Sequence, residues 1–170
     1  FLVIGGLAFF LCWVPHQLVN FASTPVTRTP AEWSVEYQEV TFHPSDSGID
    51  LKGWWMPTEN AKAGLVVVHG AGANRTGELF GSLEFYRSAV GRGISVLAFD
   101  LRNHGESGRT PGGVRAGVAE KEDVRAAVAF ARARAPQLPI YALGLSMGGA
   151  AIIYAAAEGL ELDGIVLHCP

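Results

Sequence analysis

The sequence predicts an α/β fold: a parallel sheet with helices on both faces, entered through an antiparallel hairpin. Three observations carry this reading. Short, uninterrupted apolar runs alternate with segments whose apolar residues recur at helical spacing. The two candidate strands before them alternate apolar and polar residues instead, as hairpin strands do. Polar, glycine-rich turns follow the apolar runs at their carboxyl ends, which is the ligand side of an open α/β sheet.

The 170 residues suit one globular domain and leave no room for two. Thirteen Lys and Arg against 16 Asp and Glu give a net charge of −3, so nucleic acid is not an expected partner. Only 17% of residues are charged and 49% are hydrophobic, which excludes a disordered chain. Two cysteines, Cys12 and Cys169, make no disulfide framework, and neither has zinc-site spacing. His16, His43, His69, His104 and His168 are scattered without metal-ligand spacing. No metal and no cofactor is expected.

Phe1 to Val14 carries no charge, and the first charged residue is Arg28. As a helix the run through Phe21 would be ~32 Å long, against a bilayer hydrocarbon core of ~30 Å. The favoured reading is a single membrane anchor over residues 1–21, with Trp13, Pro15 and His16 as an interfacial exit. A signal peptide cleaved after Phe21-Ala22-Ser23, giving a secreted protein, is the alternative. A buried core helix fits least, because the segment is apolar all round. Cys12 lacks the small preceding residue of a lipoprotein site. Residues 22–31 then read as an extended linker, and 32–170 as the domain. The opening on Phe1 and the abrupt strand at the end are read as truncation at both ends.

Val35 to Pro44 and Ile49 to Pro57 form the hairpin, across a Ser45-Asp46-Ser47-Gly48 turn. Gly64 to His69 is the first strand buried on both faces. Leu79, Leu83, Tyr86 and Val90 then line one helix face, and the helix closes at Gly91-Arg92-Gly93. Ile94 to Asp100 is the next strand. Glu120 to Arg134 is the clearest helix, with Glu120, Glu122 and Asp123 at its start and Arg132 and Arg134 at its end, an order that suits the helix dipole. Ile140 to Gly144 is a strand, Met147 to Glu158 an Ala-rich helix, and Gly164 to Pro170 a further buried-strand pattern.

The strongest chemical signal is Gly144-Leu145-Ser146-Met147-Gly148, a G-x-S-x-G between a buried strand and a small-residue helix. A turn this sharp strains the serine backbone and exposes its hydroxyl at the sheet edge, and side chains at 144 and 148 would strike the turn. The helix N-terminus beside the serine favours negative charge. The competing interpretation is a glycine-rich junction holding a chance serine. A second signal, His69-Gly70-Ala71-Gly72-Ala73-Asn74-Arg75, directly follows the first buried strand. Acyl transfer needs backbone N–H donors aimed at the developing oxyanion, and Ala71 and Met147 are placed to supply them. A nucleotide loop fails here, because Arg75 stands where the third glycine belongs and no G-K-[ST] follows. His69 is expected to hold the loop with Gly70 and Gly72; a general-base role is the alternative. A third signal, Phe99 to Ser107, reads as a hydrogen-bonded loop bracing the site.

H-G-x-G, then D-x-R-x-H-G-x-S, then G-x-S-M-G-G, in this order over residues 32–170, resembles the α/β-hydrolase superfamily. The branch is the serine aminopeptidase S33-like and monoacylglycerol-lipase-like group. The resemblance implies an α/β-hydrolase fold lacking its last strands. It also implies Ser146 as nucleophile, Ala71 and Met147 as oxyanion donors, and no metal or other cofactor. Asn103 stands where relatives usually have Gly. The family order places an acid and then a histidine on later loops. Asp163, Glu158 and Glu161 fall away from the site, and His168 at the carboxyl edge does not replace the missing loop, so neither group is named in this chain.

The expected function is a serine hydrolase that cleaves an ester, thioester or amide of a small or lipid-like molecule. It acts in a longer parent protein, and the chain alone is expected to be inactive. A non-catalytic binding module on the same fold is the alternative, and an acyltransferase or haloperoxidase a third reading. Substrate and oligomeric state are not legible.

Overall fold

A computed structural model describes residues 9–11, 13, 24–77 and 81–169. Among the described residues six strands are formed: β1 (Gln38–Phe42), β2 (Leu51–Met56), β3 (Ala63–Val68), β4 (Ile94–Phe99), β5 (Ile140–Leu145) and β6 (Gly164–His168). They make one sheet in the order β1-β2-β4-β3-β5-β6. β1 and β2 pair antiparallel, β2 joins β4 antiparallel, and β4, β3, β5 and β6 run parallel. From β3 the chain goes first to β4 on one side, then to β5 on the other. The carboxyl end of β3 is therefore where strand order reverses and a crevice opens.

Among the described residues three helices cover the sheet: α1 (Ser82–Gly91), α2 (Lys121–Arg134) and α3 (Met147–Ala157). Along β3 the side chains alternate between two cores. Leu65 and Val67 pack with Val96 and Ala98 against Leu83, Tyr86 and Ala89 of α1. Val66 and Val68 pack with Leu97, Phe99 and Ile140 against Val124, Val128 and Ala131 of α2 and Ile152 of α3. A strand with a core on each side must be apolar at every position, which explains the uninterrupted runs.

Several expected boundaries move. The strand expected from Val35 begins only at Gln38, because a 3-10 turn at Pro30–Trp33 ends on Ser34 in a left-handed conformation (φ 56°) that redirects the chain. Val35 instead joins the core under α1. Residues 24–31, expected as an extended linker, are tied to the domain by hydrogen bonds from Asn74 Nδ2 to the carbonyls of Thr24 and Pro25. The helix expected to include Leu79 is described from Ser82, and Leu79 lies outside the described residues. Glu120 stands at the N-cap of α2 but makes no side-chain capping bond to it. Its buried carboxylate accepts the N–H groups of Arg115 and Gly117 and so braces the loop before the helix.

β6, expected as a buried strand, is exposed from Ile165 to His168, with Val166 57% accessible. Among the described residues no strand pairs with its outer edge. The described part of the N-terminal apolar run (Phe9, Phe10, Leu11 and Trp13) is helical and exposed. Among the described residues no helix is long and apolar enough to cross a membrane, and the rest of the run lies outside them.

Candidate active site

The site is assembled where the loops after β3, β4 and β5 meet. Ser146 links β5 directly to α3 and holds φ 49°, ψ −120°, a strained conformation for a residue with a side chain. Three contacts keep it there. Its N–H donates to the His168 carbonyl at the end of β6, at 2.8 Å, and its own carbonyl accepts the Ala150 N–H at 3.1 Å. The third is steric, and the flanking glycines make it possible. A Cβ on Gly144 would lie 2.6 Å from Gly149 Cα, and one on Gly148 would lie 2.3 Å from the Val68 carbonyl oxygen. Gly148 is therefore required by the end of β3, a neighbouring strand, rather than by the turn itself. Met147 is the first residue of α3, so its N–H has no acceptor within the helix.

The loop after β3 lies against this elbow: a Cβ on Gly70 would meet Ser146 Cβ at 3.3 Å. Gly72 is needed for a different reason. Space around it is open, but its φ is +71°, which a side chain rarely adopts. Among the described residues the Ala71 N–H has no protein acceptor, whereas the Gly72 N–H is taken by His104 Nε2 and the Ala73 N–H by the Gly70 carbonyl. Among the described residues, the Ala71 and Met147 N–H groups are thus both without a protein acceptor on the loops that meet at Ser146.

His69 and His104 hold the β3 and β4 loops together reciprocally. His69 Nδ1 contacts the Gly70 carbonyl at 2.7 Å, and its Nε2 accepts the Leu101 N–H at 3.0 Å. His104 Nδ1 contacts the Arg102 carbonyl at 2.9 Å, and its Nε2 accepts the Gly72 N–H at 3.1 Å. Each ring must therefore carry its proton on Nδ1 and be neutral. Burial, helped by His104 alongside, pushes His69 down to about 3, and burial also lowers His104. With both nitrogens engaged, His69 is a brace for the loop rather than a base for Ser146.

This has a pH consequence. His69 titrates at about 3 folded against 6.5 unperturbed, so the stability of its neutral state is whole above 6.5 and is lost as pH falls toward 3. His69→Gln offers an amide donor and acceptor but no such titration. The stability gap between wild type and variant should close by about 1.4 kcal/mol per pH unit below that of a free histidine. Urea melts of both proteins between pH 7.5 and 5 would measure it; a constant gap would refute it.

Behind the loops stands a charged network that the sequence motifs only partly announced. Asp100 Oδ1 accepts the Arg75 N–H at 2.7 Å, and Oδ2 accepts both Arg75 Nη1 and, at 2.9 Å, the Glu106 N–H. Arg75 also reaches Glu106 through Nη2 and lies over the Trp54 ring at 4.5 Å. Burial pushes the Asp100 carboxyl up and Arg75 pulls it back. A Cβ on Gly105 would fall 2.1 Å from Asp100 Oδ2, which accounts for the glycine after His104. Arg102 is gripped by Asp123 and Asp46, and Ser107 Oγ donates to the Asp100 carbonyl at 2.6 Å. Asn103 adopts φ 65°, the left-handed region that Asn tolerates and Gly prefers, so the departure from the usual Gly is conformationally mild.

The remaining acids are elsewhere. Asp163 accepts the Ile140 N–H at the amino end of β5, and Glu158 pairs with Lys121 and Arg125 at the end of α3. Glu161 is exposed, and its carbonyl accepts Arg132 Nη2. His168 contributes its carbonyl to the elbow. Sequence reasoning missed Arg75 as a structural cation, although an Asp at the end of a buried strand calls for one. It also missed Thr24, whose hydroxyl donates to the Gly72 carbonyl at 2.6 Å.

Comparisons with known proteins agree with this geometry. The family model for serine aminopeptidase, S33, matches residues 59–170. The chain is 35% identical to human monoglyceride lipase over 149 residues, which are 84% of this chain and 46% of the lipase. It is 31% identical to a quorum-quenching protein, AidA, of Acinetobacter baumannii over 134 residues, covering 78% of this chain and 43% of that protein. A Pyrococcus furiosus esterase superposes with a TM-score of 0.76 at 29% identity, covering 86% of this chain and 54% of the esterase. The chain thus spans about half the length of the curated relatives it matches. Strand order, elbow and family match converge: the chain belongs to the serine aminopeptidase S33 family of α/β-hydrolases.

Proposed function

We propose that this chain supplies the nucleophile and oxyanion half of a serine hydrolase that cleaves an ester, thioester or amide through an acyl-enzyme on Ser146. The observation that carries it is the strained Ser146 at the mouth of β5, facing a loop whose Ala71 N–H has no partner among the described residues. In this reading Ser146 Oγ attacks the substrate carbonyl carbon and its proton passes to a histidine of the parent protein. The tetrahedral oxyanion is held by the Ala71 and Met147 N–H groups. Collapse breaks the bond to the leaving group, which takes the proton, and water then releases the acid from the serine.

The relatives named as a lipase and an esterase support an acyl ester, small or lipid-like, as substrate. The acid and histidine of the triad lie outside these 170 residues, and the apolar run 1–21 serves as a membrane anchor in the same reading. A fluorophosphonate probe tests the central claim: it should label the parent protein at Ser146, and absence of an adduct would turn the assignment toward a non-catalytic binding module. The 170-residue chain by itself should give no measurable turnover of p-nitrophenyl butyrate, because an unassisted serine hydroxyl is a poor nucleophile. Turnover by the isolated chain above the buffer rate would contradict the placement of the missing groups.

A further inference from the structure

Gly72 is held by both of its backbone polar groups, from opposite sides. Its N–H donates to His104 Nε2 at 3.1 Å, and its carbonyl accepts the Thr24 hydroxyl at 2.6 Å. The segment carrying Thr24 is itself pinned: Asn74 Nδ2 donates to the Thr24 carbonyl at 3.1 Å and to the Pro25 carbonyl at 2.9 Å. Asn74 is 3% exposed, and its Oδ1 accepts the Thr76 N–H at 2.8 Å, so every polar atom of the amide is used and its orientation is fixed. Gly72 is the residue that immediately follows Ala71. The two grips fall on successive peptides: His104 holds the Ala71–Gly72 peptide and Thr24 the Gly72–Ala73 peptide, whose Ala73 N–H donates at 3.3 Å to the Gly70 carbonyl, and that carbonyl belongs to the peptide carrying the Ala71 N–H.

We propose that Thr24 is a positioning residue for the reaction: with His104 it clamps Gly72 and so aims the Ala71 N–H at the oxyanion. Thr24 lies outside residues 59–170, the part matched by the family model, so the clamp belongs to the segment that leads into the domain. The inference rests on the reading of Ala71 as an oxyanion donor. Its energetic logic is that of a preorganised donor. One hydroxyl contributes little to global stability, but a donor that must reorient during the reaction loses part of its value in the transition state.

Thr24 is exposed, so its substitution leaves the core untouched. In the full-length protein Thr24→Val, which keeps the shape and removes the hydroxyl, should lower kcat for p-nitrophenyl butyrate by about three- to tenfold, a fraction of the effect of deleting an oxyanion donor. KM should stay within about twofold, since the contact matters in the transition state and not in substrate binding. Thr24→Ser should restore the rate. Amide exchange at Gly72 should accelerate in Thr24→Val and return to the wild-type rate in Thr24→Ser. A loss confined to KM, an unchanged kcat, or a loss that Ser does not rescue would overturn the proposal. If the wild-type protein neither turns over ester nor takes a fluorophosphonate, the hydrolase reading fails instead. Exchange at Gly72 then judges the clamp alone, and an unchanged rate in Thr24→Val refutes it.

Discussion

Ser146→Ala in the full-length protein should reduce kcat/KM toward ester substrates by about 10⁵- to 10⁶-fold, leaving the folded structure intact. The expectation follows from what the substitution removes and what it keeps. In the proposed mechanism the hydroxyl is the atom that forms the covalent bond, and no other nucleophilic side chain of the described loops after β3 and β5 is placed to substitute for it. The Ala71 and Met147 N–H groups remain, so a residual rate over water survives. Alanine tolerates φ 49° no better than serine does, and the bond from residue 146 to the His168 carbonyl uses only backbone. The melting temperature should therefore stay close to that of wild type. Steady-state kinetics with denaturant melts on the same preparation would check both halves. A variant that keeps more than a hundredth of the activity would place the nucleophile elsewhere.

The largest stability effect should come from Asp100→Ala. Asp100 accepts only donors: Arg75 through its backbone and its guanidinium, and the Glu106 N–H. The side chain of Arg75 is 1% exposed and that of Asp100 fully buried, so deleting the carboxylate leaves the buried cation only the half-exposed Glu106 as counter-charge and takes the acceptor from its backbone N–H. Breaking a buried pair from one side costs about 3–5 kcal/mol, or on the order of 10 °C in Tm for a protein of this size class. Asp100→Asn should be little better, because its amide nitrogen would face donors. The double variant Asp100→Ala/Arg75→Met should recover part of the loss, since no charge is then left alone. Thermal melts of the three variants decide the matter; a double variant worse than the single would mean that packing against Trp54, rather than charge, dominates.

Much of this architecture was legible in the residues because local and long-range demands coincide there. The apolar runs at Leu65–Val68 and Val96–Phe99 are strands with a core on each face, and nothing but a covered parallel sheet satisfies them. Gly144 and Gly148 declare the elbow because a Cβ at either would strike neighbouring backbone. What escaped prediction depends on groups far apart in sequence. The use of Glu120 as a brace depends on Arg115 and Gly117 adopting a particular turn. The grip of Thr24 on Gly72 spans 48 positions with no pattern at either end. β6 carries an apolar pattern, yet it is the sheet's exposed edge, because pattern reports what a strand is built for and not which neighbours are present.

The bond from the Ser146 N–H to the His168 carbonyl ties the backbone of the proposed nucleophile to a strand made only after the whole of α3. Until that strand has docked, the serine is free to relax into ordinary torsions, and a relaxed elbow does not present its hydroxyl. Reactivity should therefore switch on late in biogenesis, after the sheet has grown past β5. The nascent chain is spared a competent nucleophile during the interval when its loops are still unpacked and open to unintended acylation.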